Sequence, residues 1–323
     1  NKNKIAQLIV SAREINKFHG TFLSSIMKYQ VNGRIHAEIN QLRGDNGGTV
    51  SGRLSMSNPN LQQVPARNKD FGPKIRSLFI PEDGYKWGSF DYSQQEPRMT
   101  VHYAASIGEG YEGSNELVQA YQNSEADFHQ TVADLVGIER TQAKTIGLGL
   151  MYGMGKQKLA ISLGVSKDEA NELIIKYNKK VPFVKKLSDR CKYAADEKGV
   201  IRTKKGRKCR FDMWETRDFG LHIAEKYEDA VAKYGKDNIK RAFTYKALNR
   251  LIQGSSADQT KQSMLDCYKD GHLPMLQIHD ELCFNIKDDK HAKQIQKIMQ
   301  NSIKFKVPSV VDYGLGESWG DAK

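Results

Sequence analysis

The chain has 323 residues, of which 39% are hydrophobic and 27% charged, and 50 Lys and Arg against 38 Asp and Glu give a formal net charge of +12. This length allows two or three compact units. No run of about 18 apolar residues and no signal-peptide pattern is present, so a membrane or secreted protein is disfavoured and a cytoplasmic location is expected. The basic balance favours a polyanionic partner, above all nucleic acid. The four cysteines form no CxxC or Cys/His pattern, which argues against a zinc site or a disulfide framework.

The first predicted elements are a helix, a loop and a strand. Apolar residues recur with helical spacing near the start of the chain, at Ile5, Leu8, Ile9, Ala12, Ile15 and Phe18. Segment 41–65 is rich in Gly, Asn, Ser and Pro and is predicted to be mostly loop. The segment "YKWGSFDYS" then predicts a strand that ends at Asp91.

Helical patterns dominate the middle of the chain. One helix is predicted to begin with a capping box of Ser166 and Glu169. The segment "GVIRTKKGRKCRF" predicts a basic hairpin with its turn near Lys205 and Gly206. The remaining predicted elements are a helix at 245–265, a hairpin at 275–286 and an amphipathic helix at about 289–303.

The hairpin segment "MLQIHDELCFNI" combines apolar residues with carboxylates. Its even-numbered residues are Leu276, Ile278, Asp280, Leu282, Phe284 and Ile286. This alternation predicts one half-buried face with Asp280 set into it and Glu281 beside it. Desolvating an unpaired carboxylate costs more than a strand gains, so a specific role is indicated. The order strand, helical block, strand predicts a sheet split by a helical insertion, on which Asp91 and Asp280 meet.

Paired carboxylates on one sheet predict a cation site. Two pooled carboxylates repel each other, and a divalent cation removes that penalty. Hard oxygen ligands suit Mg²⁺, which keeps waters and substrate phosphates in its other positions. Two such ions activate an attacking oxygen and stabilise a departing one in phosphoryl displacement. The simpler interpretation of "DYSQQEPR" is a helix start, with Ser93 and Glu96 as a capping box and Pro97 tolerated in the first turn.

The segment "RTQAKTIGLGLMYG" predicts a basic helix. The residues that share one face are Arg140, Lys144, Leu148 and Tyr152. The segment also contains Gly147, Gly149 and Gly153. Each glycine costs a helix about 1 kcal/mol relative to Ala, which favours a close visitor such as a flat base pair. Arg140 and Lys144 would then hold phosphates, with His129 as a further donor. The alternative is a solvated basic helix and a structural His129.

Four segments resemble motifs of the A-family DNA polymerases, the group that contains bacterial polymerase I and phage replicative polymerases. "DYSQQEPR" is similar to the first catalytic motif, "RTQAKTIGLGLMYG" to the nucleotide-binding finger helix and "QIHDE" to the last catalytic motif. "SGRLSMSNPNLQQVP" resembles the template–primer loop, and the closing "GLGESWGDA" fits the family's terminus. The resemblance covers nearly everything from about residue 30 to the end, and four motifs in order are highly specific.

The resemblance implies an α+β fold with the right-hand polymerase architecture. An antiparallel-sheet palm is split by a largely helical fingers insertion, and the thumb is mostly absent. The implied domains are 1–50 as thumb remnant and lead-in to the palm, 51–98 as the first part of the palm, 99–237 as the fingers and 238–323 as the second part of the palm. The implied partners are primer–template DNA and deoxynucleoside triphosphates, with no membrane. The family pattern shows no proofreading nuclease within this sequence, so an exonuclease domain or a processivity factor outside this chain is expected as a candidate partner.

The resemblance also implies residue roles. Asp91 and Asp280 would hold two Mg²⁺ ions, for which Mn²⁺ can substitute, with Glu281 as a secondary metal residue, and Lys144 would donate a proton to pyrophosphate. The implied nucleotide-binding residues are Gln94, Glu96, His129, Arg140, Lys144, Leu148 and Tyr152. Among these, Glu96 would close off the ribose 2′ side. The implied DNA-binding residues, which would contact minor-groove acceptors near the primer end, are Arg53, Asn249, Gln253 and His279.

Several positions depart from the family pattern. Leu148 stands where Phe or Tyr is usual, which puts discrimination against chain-terminating sugars in question. Pro97 stands where Leu is usual, and Tyr245 where Arg is frequent. Segment 212–240 is longer than in the bacterial enzymes.

The leading hypothesis is template-directed DNA synthesis by nucleotidyl transfer. A single-subunit RNA polymerase, which has a similar architecture, is the enzymatic alternative, and Glu96 argues against it. A basic nucleic-acid-binding module without catalysis is the non-enzymatic alternative. A metal-dependent nuclease is disfavoured, because hydrolysis would not need a triphosphate-binding helix. Several motifs are phage-like, which favours a viral replicative enzyme.

Overall fold

The computed structural model describes residues 3–44, 47–65, 68, 70–123, 127–218, 220 and 222–322. Its α-helices are α1 (Lys4–Lys17), α2 (Ser24–Tyr29), α3 (Gly72–Arg76), α4 (Gln95–Ala105), α5 (Ser114–Asn123), α6 (Phe128–Val136), α7 (Arg140–Met151), α8 (Lys156–Leu163), α9 (Lys167–Lys180), α10 (Pro182–Lys198), α11 (Tyr227–Tyr234), α12 (Ala247–Lys269) and α13 (Asp289–Asn301). Its strands are β1 (Gln30–Val31), β2 (Arg34–Ile35), β3 (Glu38–Asn40), β4 (Ser55–Ser57), β5 (Lys86–Tyr92), β6 (Val200–Arg202), β7 (Lys208–Arg210), β8 (Trp214–Thr216), β9 (Ile239–Arg241), β10 (Leu276–Ile278), β11 (Glu281–Ile286) and β12 (Val311–Gly316).

The chain divides into two compact units, and the predicted α+β class is confirmed. The sheet unit comprises Asn1–Ser93, Gln259–Ile303 and Val310–Lys323. The helical unit comprises Gln94–Asp258 and Lys304–Ser309. The helical unit therefore interrupts the sheet unit in the sequence, and one boundary falls within α12. Within the described residues, every helix is too short or too polar to cross a membrane.

The sheet unit is built on a four-stranded antiparallel sheet with the strand order β10-β11-β5-β12. One face packs in a core that includes Leu276, Ile278, Cys283, Trp87 and Trp319. The other face packs against α13 in a core that includes Phe90, Leu282, Phe284, Ile286 and Val311. Because both faces are covered, β5 and β11 carry apolar residues in both alternating sets of positions.

The hairpin of β10 and β11 is confirmed, but the prediction that its even-numbered residues share one face is wrong. Leu276 pairs with Cys283, and Ile278 pairs with Glu281, so the turn consists of only two residues. Paired residues point to the same side of an antiparallel sheet. Leu276 and Ile278 therefore share a face with the odd-numbered residues of β11, and Leu282 lies on the opposite face. The carboxylate of Asp280 belongs to the turn and not to a strand face.

The helical unit has one core, formed by α4 to α10, the β6–β7 hairpin and the first part of α12. The capping box of Ser166 and Glu169 is confirmed: each side chain accepts a bond from the backbone N–H of the other residue. The hairpin with its turn near Lys205 and Gly206 is also confirmed, since β6 pairs with β7 around that turn. These local elements follow their sequence signals because the capping and turn groups lie within a few residues.

Two local predictions need correction. At "DYSQQEPR" the helix starts one residue later than predicted: α4 begins at Gln95, and its N-cap residue is the left-handed Gln94, which makes no side-chain cap. The glycines of α7 are not open to a base pair. A Cβ at Gly147 would lie 3.2 Å from the Tyr177 hydroxyl, and one at Gly149 would lie 3.2 Å from Met154 Sδ. The groups that pack against the glycines of this helix are therefore protein side chains.

The opening helix forms as predicted, but it buries none of its residues among those described. α1 spans Lys4–Lys17 and is followed by a π-helical segment, Phe18–Leu23. Ile5 and Leu8 are 69% and 61% exposed. Burial in the core begins with Phe18, so the amphipathic pattern predicts the helix without predicting its packing.

Candidate functional site

Three carboxylates lie side by side at one end of the sheet. Asp91, near the end of β5, pairs directly with Glu281 on β11 and with Asp312 on β12. Directly opposite residues have Cβ atoms about 5 Å apart and point to the same face. Asp280 follows in the β10–β11 turn, immediately before Glu281. The structure thus brings the predicted pair Asp91 and Asp280 to one end of one sheet.

These carboxylates perturb each other. The pKa of Asp91 is raised from 3.8 to about 7. Although the residue keeps access to solvent, removal of water by the packed sheet around its carboxyl group is the largest cause. The negative charges of Asp280, Glu281 and Asp312 follow in that order. Asp91 therefore binds a proton more readily than an ordinary aspartate does, until a positive charge arrives.

The carboxylate end of the sheet fits a hard divalent cation. In the described part of the chain, no group of three or more His, Cys, Asp or Glu side chains is placed to hold a metal ion, so Asp91, Asp280 and Glu281 do not form a preformed three-ligand site. Mg²⁺ needs only one or two protein carboxylates, because waters and substrate phosphates complete its shell. Asp91, whose pKa is raised, and the neighbouring Asp280 are a donor set of that kind.

Glu281 has contacts that distinguish it from the two aspartates. Its Oε1 accepts a hydrogen bond from the Trp319 indole Nε1–H at 3.2 Å, and the Cys283 thiol donates to the same oxygen at 3.5 Å. The residue is half-buried. Trp319 and Cys283 therefore hold Glu281 through one carboxylate oxygen, and its secondary metal role stays a prediction.

The turn beside Asp280 is fixed by the predicted template–primer segment. Gln62 donates to the buried Gln277 side chain at 3.0 Å, and Gln277 in turn donates to the carbonyl of His279 at 2.6 Å. His279 has a left-handed backbone, φ 57°, which few non-glycine residues adopt. Burial lowers the His279 pKa, and the charge of Arg53 lowers it further. The structure therefore brings the predicted DNA-binding residues Arg53 and His279 together.

The helical unit contains a second charged cluster around the starts of α6 and α7. The Asp127 side chain caps α6, with Oδ1 accepting from the backbone N–H of His129 at 2.8 Å. Its other oxygen, Oδ2, accepts from Arg140 Nε at 2.8 Å and from a terminal guanidinium nitrogen at 2.6 Å. Burial opposes ionisation of Asp127, but the bonds from Arg140 and the backbone lower its pKa overall. The Asp127 carboxylate therefore bonds to both the His129 backbone and the Arg140 side chain, two of the predicted phosphate-binding residues.

His129 is a buried and neutral member of this cluster. Its pKa is lowered from 6.5 to about 4, mainly by burial; the charge of Asp127 opposes this shift, and the positive charges of Lys144 and Arg140 add to it. Within the described residues, its Nδ1 is buried and lacks a hydrogen-bond partner. Arg140 and Lys144 are exposed on α7, as their shared face predicts. The structure brings all three predicted triphosphate-binding residues together.

The remaining predicted nucleotide-binding residues adjoin the same part of the helical unit. The Tyr152 hydroxyl donates a hydrogen bond to Glu96 Oε2. The Gln94 side-chain oxygen accepts from the Phe128 backbone N–H at 3.0 Å, so it holds the start of α6. Leu148 is half-buried against the helical core.

Asn249 and Gln253 lie one helical turn apart on α12 in the helical unit and are both half-buried. Arg53 and His279, which share their predicted role, belong to the sheet unit. Spacing of four residues places the first two side chains on one face of the helix.

Sequence reasoning missed three residues that the structure places in these clusters. Asp312 adds the third cross-strand carboxylate, and only the alternation of "VVDYGLG" hinted at an outward-facing position. Asp127 was available as an N-cap signal two residues before His129. Trp319 lies in the closing "GESWG" segment, where its hydrogen bond to Glu281 has no sequence signal.

The comparisons with known proteins agree with the fold. A family model for DNA polymerase family A matches residues 1–321, so the chain belongs to that family. This confirms the resemblance predicted from the four motifs. Among its relatives is a DNA-directed DNA polymerase of Pseudomonas phage M6, 38% identical over 98% of this chain and 51% of the relative. The DNA polymerase I of Geobacillus stearothermophilus is 30% identical over 99% of this chain and 35% of that protein.

A solved structure has the same fold. The polymerase domain of Pol1 from M. smegmatis, in a complex with DNA primer–template and dNTP, superposes with a TM-score of 0.78 at 27% identity, over 98% of this chain and 53% of that chain. The present chain spans about half the length of the phage relative that it matches.

Proposed function

We propose that this chain is the catalytic region of a template-directed DNA polymerase that adds deoxynucleotides to a primer 3′-hydroxyl and releases pyrophosphate. Two observations support the proposal. One is the convergence of Asp91 and Asp280 at a single sheet end, with a pKa of about 7 for Asp91. The other is membership of DNA polymerase family A over residues 1–321.

In this proposal Asp91 and Asp280 hold two Mg²⁺ ions, with Glu281 as a supporting carboxylate. Mg²⁺, when bound, lowers the charge on the reacting oxygens and aligns an in-line phosphoryl displacement. The protein supplies fixed oxygen donors on a rigid sheet, so little reorganisation is needed on binding. Mn²⁺, which accepts the same ligands, can substitute.

The residues of the helical unit hold the nucleotide. Arg140 has five N–H donors, and its two bonds to Asp127 leave three further donors for phosphate oxygens. Lys144 supplies a point charge and a proton for the departing pyrophosphate. Neutral His129 is able to donate one N–H to a phosphate oxygen.

Glu96 and Tyr152 select the sugar and the base pair. The hydrogen bond from Tyr152 fixes the Glu96 carboxylate, which then fills the space that a 2′-hydroxyl would need. Gln94 contributes by holding the start of α6. Leu148 offers no hydroxyl or aromatic ring to the incoming sugar. Arg53, His279, Asn249 and Gln253 contact the duplex through acceptors common to every correct base pair.

The proposed domain roles follow the same assignment. Residues 51–98 and 238–323 form the palm, 99–237 form the fingers, and 1–50 form the lead-in with a remnant of the thumb. The proposed partners are primer–template DNA and deoxynucleoside triphosphates, and an exonuclease domain or processivity factor is a further candidate.

Primer extension tests the proposal. Purified chain, primer–template DNA and Mg²⁺ should extend the primer with all four deoxynucleotides, and ribonucleotides should be used far less. Asp280→Asn should abolish extension but keep DNA affinity. Extension with ribonucleotides on a promoter template would instead indicate an RNA polymerase. DNA binding without any extension would indicate a binding module.

A further inference from the structure

The C-terminal segment is locked against α3 next to the carboxylates of the sheet unit. The Trp319 backbone N–H donates to the Phe79 carbonyl at 2.9 Å. A Cβ at Gly320 would lie 2.7 Å from the Pro73 carbonyl oxygen, and one at Gly316 would lie 2.6 Å from the Ala322 nitrogen. Such distances are too short for any side chain, so glycine is required at both positions. The segment therefore has little freedom to move relative to α3.

The Trp319 ring is held on several sides. It is wholly buried, packs edge-on to Phe79 with ring centroids 5.5 Å apart, and stacks with Trp87 at 6.1 Å. The Arg76 guanidinium lies over its face at 4.4 Å. Aromatic and cation–π contacts of this kind fix the plane of an indole. The direction of the Nε1–H bond is consequently fixed as well.

Arg76 is an unusual neighbour for an aromatic core. The residue is only 6% exposed, and its Nε is buried and lacks a hydrogen-bond partner among the described residues. Burial lowers the Arg76 pKa, while the negative charge of Glu281 raises it. Burying an arginine without a nearby negative charge costs free energy of folding. Among the charged groups, Glu281 has the largest effect on Arg76.

The fixed indole N–H meets the carboxylate that lies directly opposite Asp91. Trp319 donates to Glu281 Oε1, and Glu281 pairs with Asp91 across β11 and β5. Without this donor, Glu281 would keep only the weaker hydrogen bond from the Cys283 thiol at 3.5 Å, and its carboxylate would be held less firmly beside Asp91. Partners of this kind orient metal-binding carboxylates, and their loss typically lowers metal affinity or activity by about 10- to 100-fold.

We propose that Trp319 is a positioning residue: its indole N–H, braced by Arg76, fixes Glu281 so that the carboxylates of the sheet unit bind the divalent cation. This inference rests on the proposed polymerase function. It assigns a task in the metal site to the closing segment of the chain, which lies 38 residues after Glu281 in sequence.

Trp319→Phe removes the N–H donor and keeps an aromatic ring. Trp214→Phe is the matched control, because Trp214 belongs to the helical unit, where its ring packs against Tyr227 and Arg241 instead of Trp319. Mn²⁺ binding is measured by electron paramagnetic resonance on the protein with primer–template DNA and no nucleotide. Trp319→Phe should bind Mn²⁺ about 10-fold more weakly, and Trp214→Phe should stay within about twofold of the original protein.

Steady-state extension gives a second measurement. Trp319→Phe should lower kcat about 10-fold and raise the Mg²⁺ concentration at half-maximal rate, with KM for the nucleotide nearly unchanged. In a double-mutant cycle, Glu281→Ala and Glu281→Ala combined with Trp319→Phe should bind Mn²⁺ equally. A further loss in the double variant would show that Trp319 does not act through Glu281.

The original protein provides a test that needs no folded variant at position 319. The chain has three tryptophans, so a ¹⁵N-indole spectrum has three side-chain resonances, which Trp87→Phe and Trp214→Phe assign. Mg²⁺ should shift the Trp319 resonance and leave that of Trp214 unchanged. An unmoved Trp319 resonance, or full Mn²⁺ affinity in Trp319→Phe, overturns the inference. Absence of any primer extension by the original protein would instead overturn the proposed function.

Discussion

The two charged clusters of this chain differ in how their charges are arranged. In the sheet unit, like charges from Asp91, Glu281 and Asp312 lie on adjacent strands, and the pKa of Asp91 rises to about 7. In the helical unit, Arg140 is paired with Asp127 at 2.6 Å, and Glu96 receives a hydrogen bond from Tyr152. The carboxylate cluster of the sheet unit is unbalanced, because its negative charges have no positive partner until a cation binds. The cluster of the helical unit is balanced, because its charged groups already have partners. The contribution of the unbalanced cluster to function should therefore depend on metal and pH, and that of the balanced cluster on individual hydrogen-bond donors.

The largest expected effect comes from the unbalanced cluster. Asp91→Asn removes a proposed metal-holding carboxylate and should lower the rate of primer extension by roughly 1000-fold or more, with little change in DNA affinity. The same change removes like-charge repulsion, so the metal-free protein should melt at a higher temperature at pH 8. Single-turnover extension and thermal melting measure the two outcomes.

Asp312→Asn is the matched control for that substitution, because Asp312 lies opposite Asp91 on the other neighbouring strand. It should raise the melting temperature in the same direction but lower extension by less than about 10-fold, since no metal-holding role is proposed for it. Equal loss of extension in both variants would contradict the assignment of Asp91 as the main metal residue.

The second effect concerns the balanced cluster. Lys144→Ala should lower kcat about 100-fold, in the range that loss of a general acid produces, while DNA affinity stays unchanged. Lys158→Ala, on the neighbouring helix α8, is the control and should behave like the original protein. A defect confined to DNA binding would refute the role of Lys144 in proton donation.

Sugar selection should change by a smaller factor. Glu96→Ala opens the space proposed to exclude the 2′-hydroxyl, so ribonucleotide incorporation relative to deoxynucleotide should rise about 10-fold or more. Tyr152→Phe keeps Glu96 but removes its hydrogen bond, and it should give an intermediate rise. The ratio of kcat/KM for the two sugars measures both variants, and an unchanged ratio in Glu96→Ala would remove this assignment.

The smallest expected effect is a pair of opposite pH slopes in the stability of the metal-free protein. Asp91 has a folded pKa of about 7 against an ordinary 3.8, so folding takes up protons and the free energy of unfolding falls as pH rises from about 4 to 7. His129 has a folded pKa of about 4 against 6.5, so its contribution rises over that window and is lost as pH falls through it.

Single substitutions separate the two slopes. Between pH 4 and 6.5, Asp91→Asn should make the melting temperature rise more steeply with pH than in the original protein, and His129→Gln should make it rise less steeply. Mg²⁺ should abolish the contribution of Asp91 but leave that of His129. Identical slopes in all three proteins would show that neither pKa shift is coupled to folding.

Features set by nearby residues could be predicted from the sequence. The capping box of Ser166 and Glu169 and the turn at Gly206 formed as expected, because their bonding groups lie within a few positions. The exposed face of Arg140 and Lys144 followed from helical spacing alone. The family motifs indicated which distant residues belong to one protein, although they did not give the geometry.

Features set by turn geometry and side-chain packing were wrong. The alternation of residues 276–286 predicted a single face, but the two-residue turn places the even-numbered residues of β10 and β11 on opposite faces of the sheet. The glycines of α7 were interpreted as openings for a base pair, but Tyr177 packs against Gly147 and Met154 against Gly149. In both cases the type of element was predicted correctly, but the residues that pack against it were not.

The sequence by itself determined the family, the helix and strand types and the identity of the charged residues, because these depend on motifs and short-range periodicity. Only the tertiary structure decided that Asp312 lies opposite Asp91, that Asp127 pairs with Arg140 and that Trp319 donates to Glu281. Strand register and side-chain pairing arise from contacts across long stretches of chain. The energy of such contacts depends on which residues lie close together in three dimensions, and local sequence patterns do not specify this.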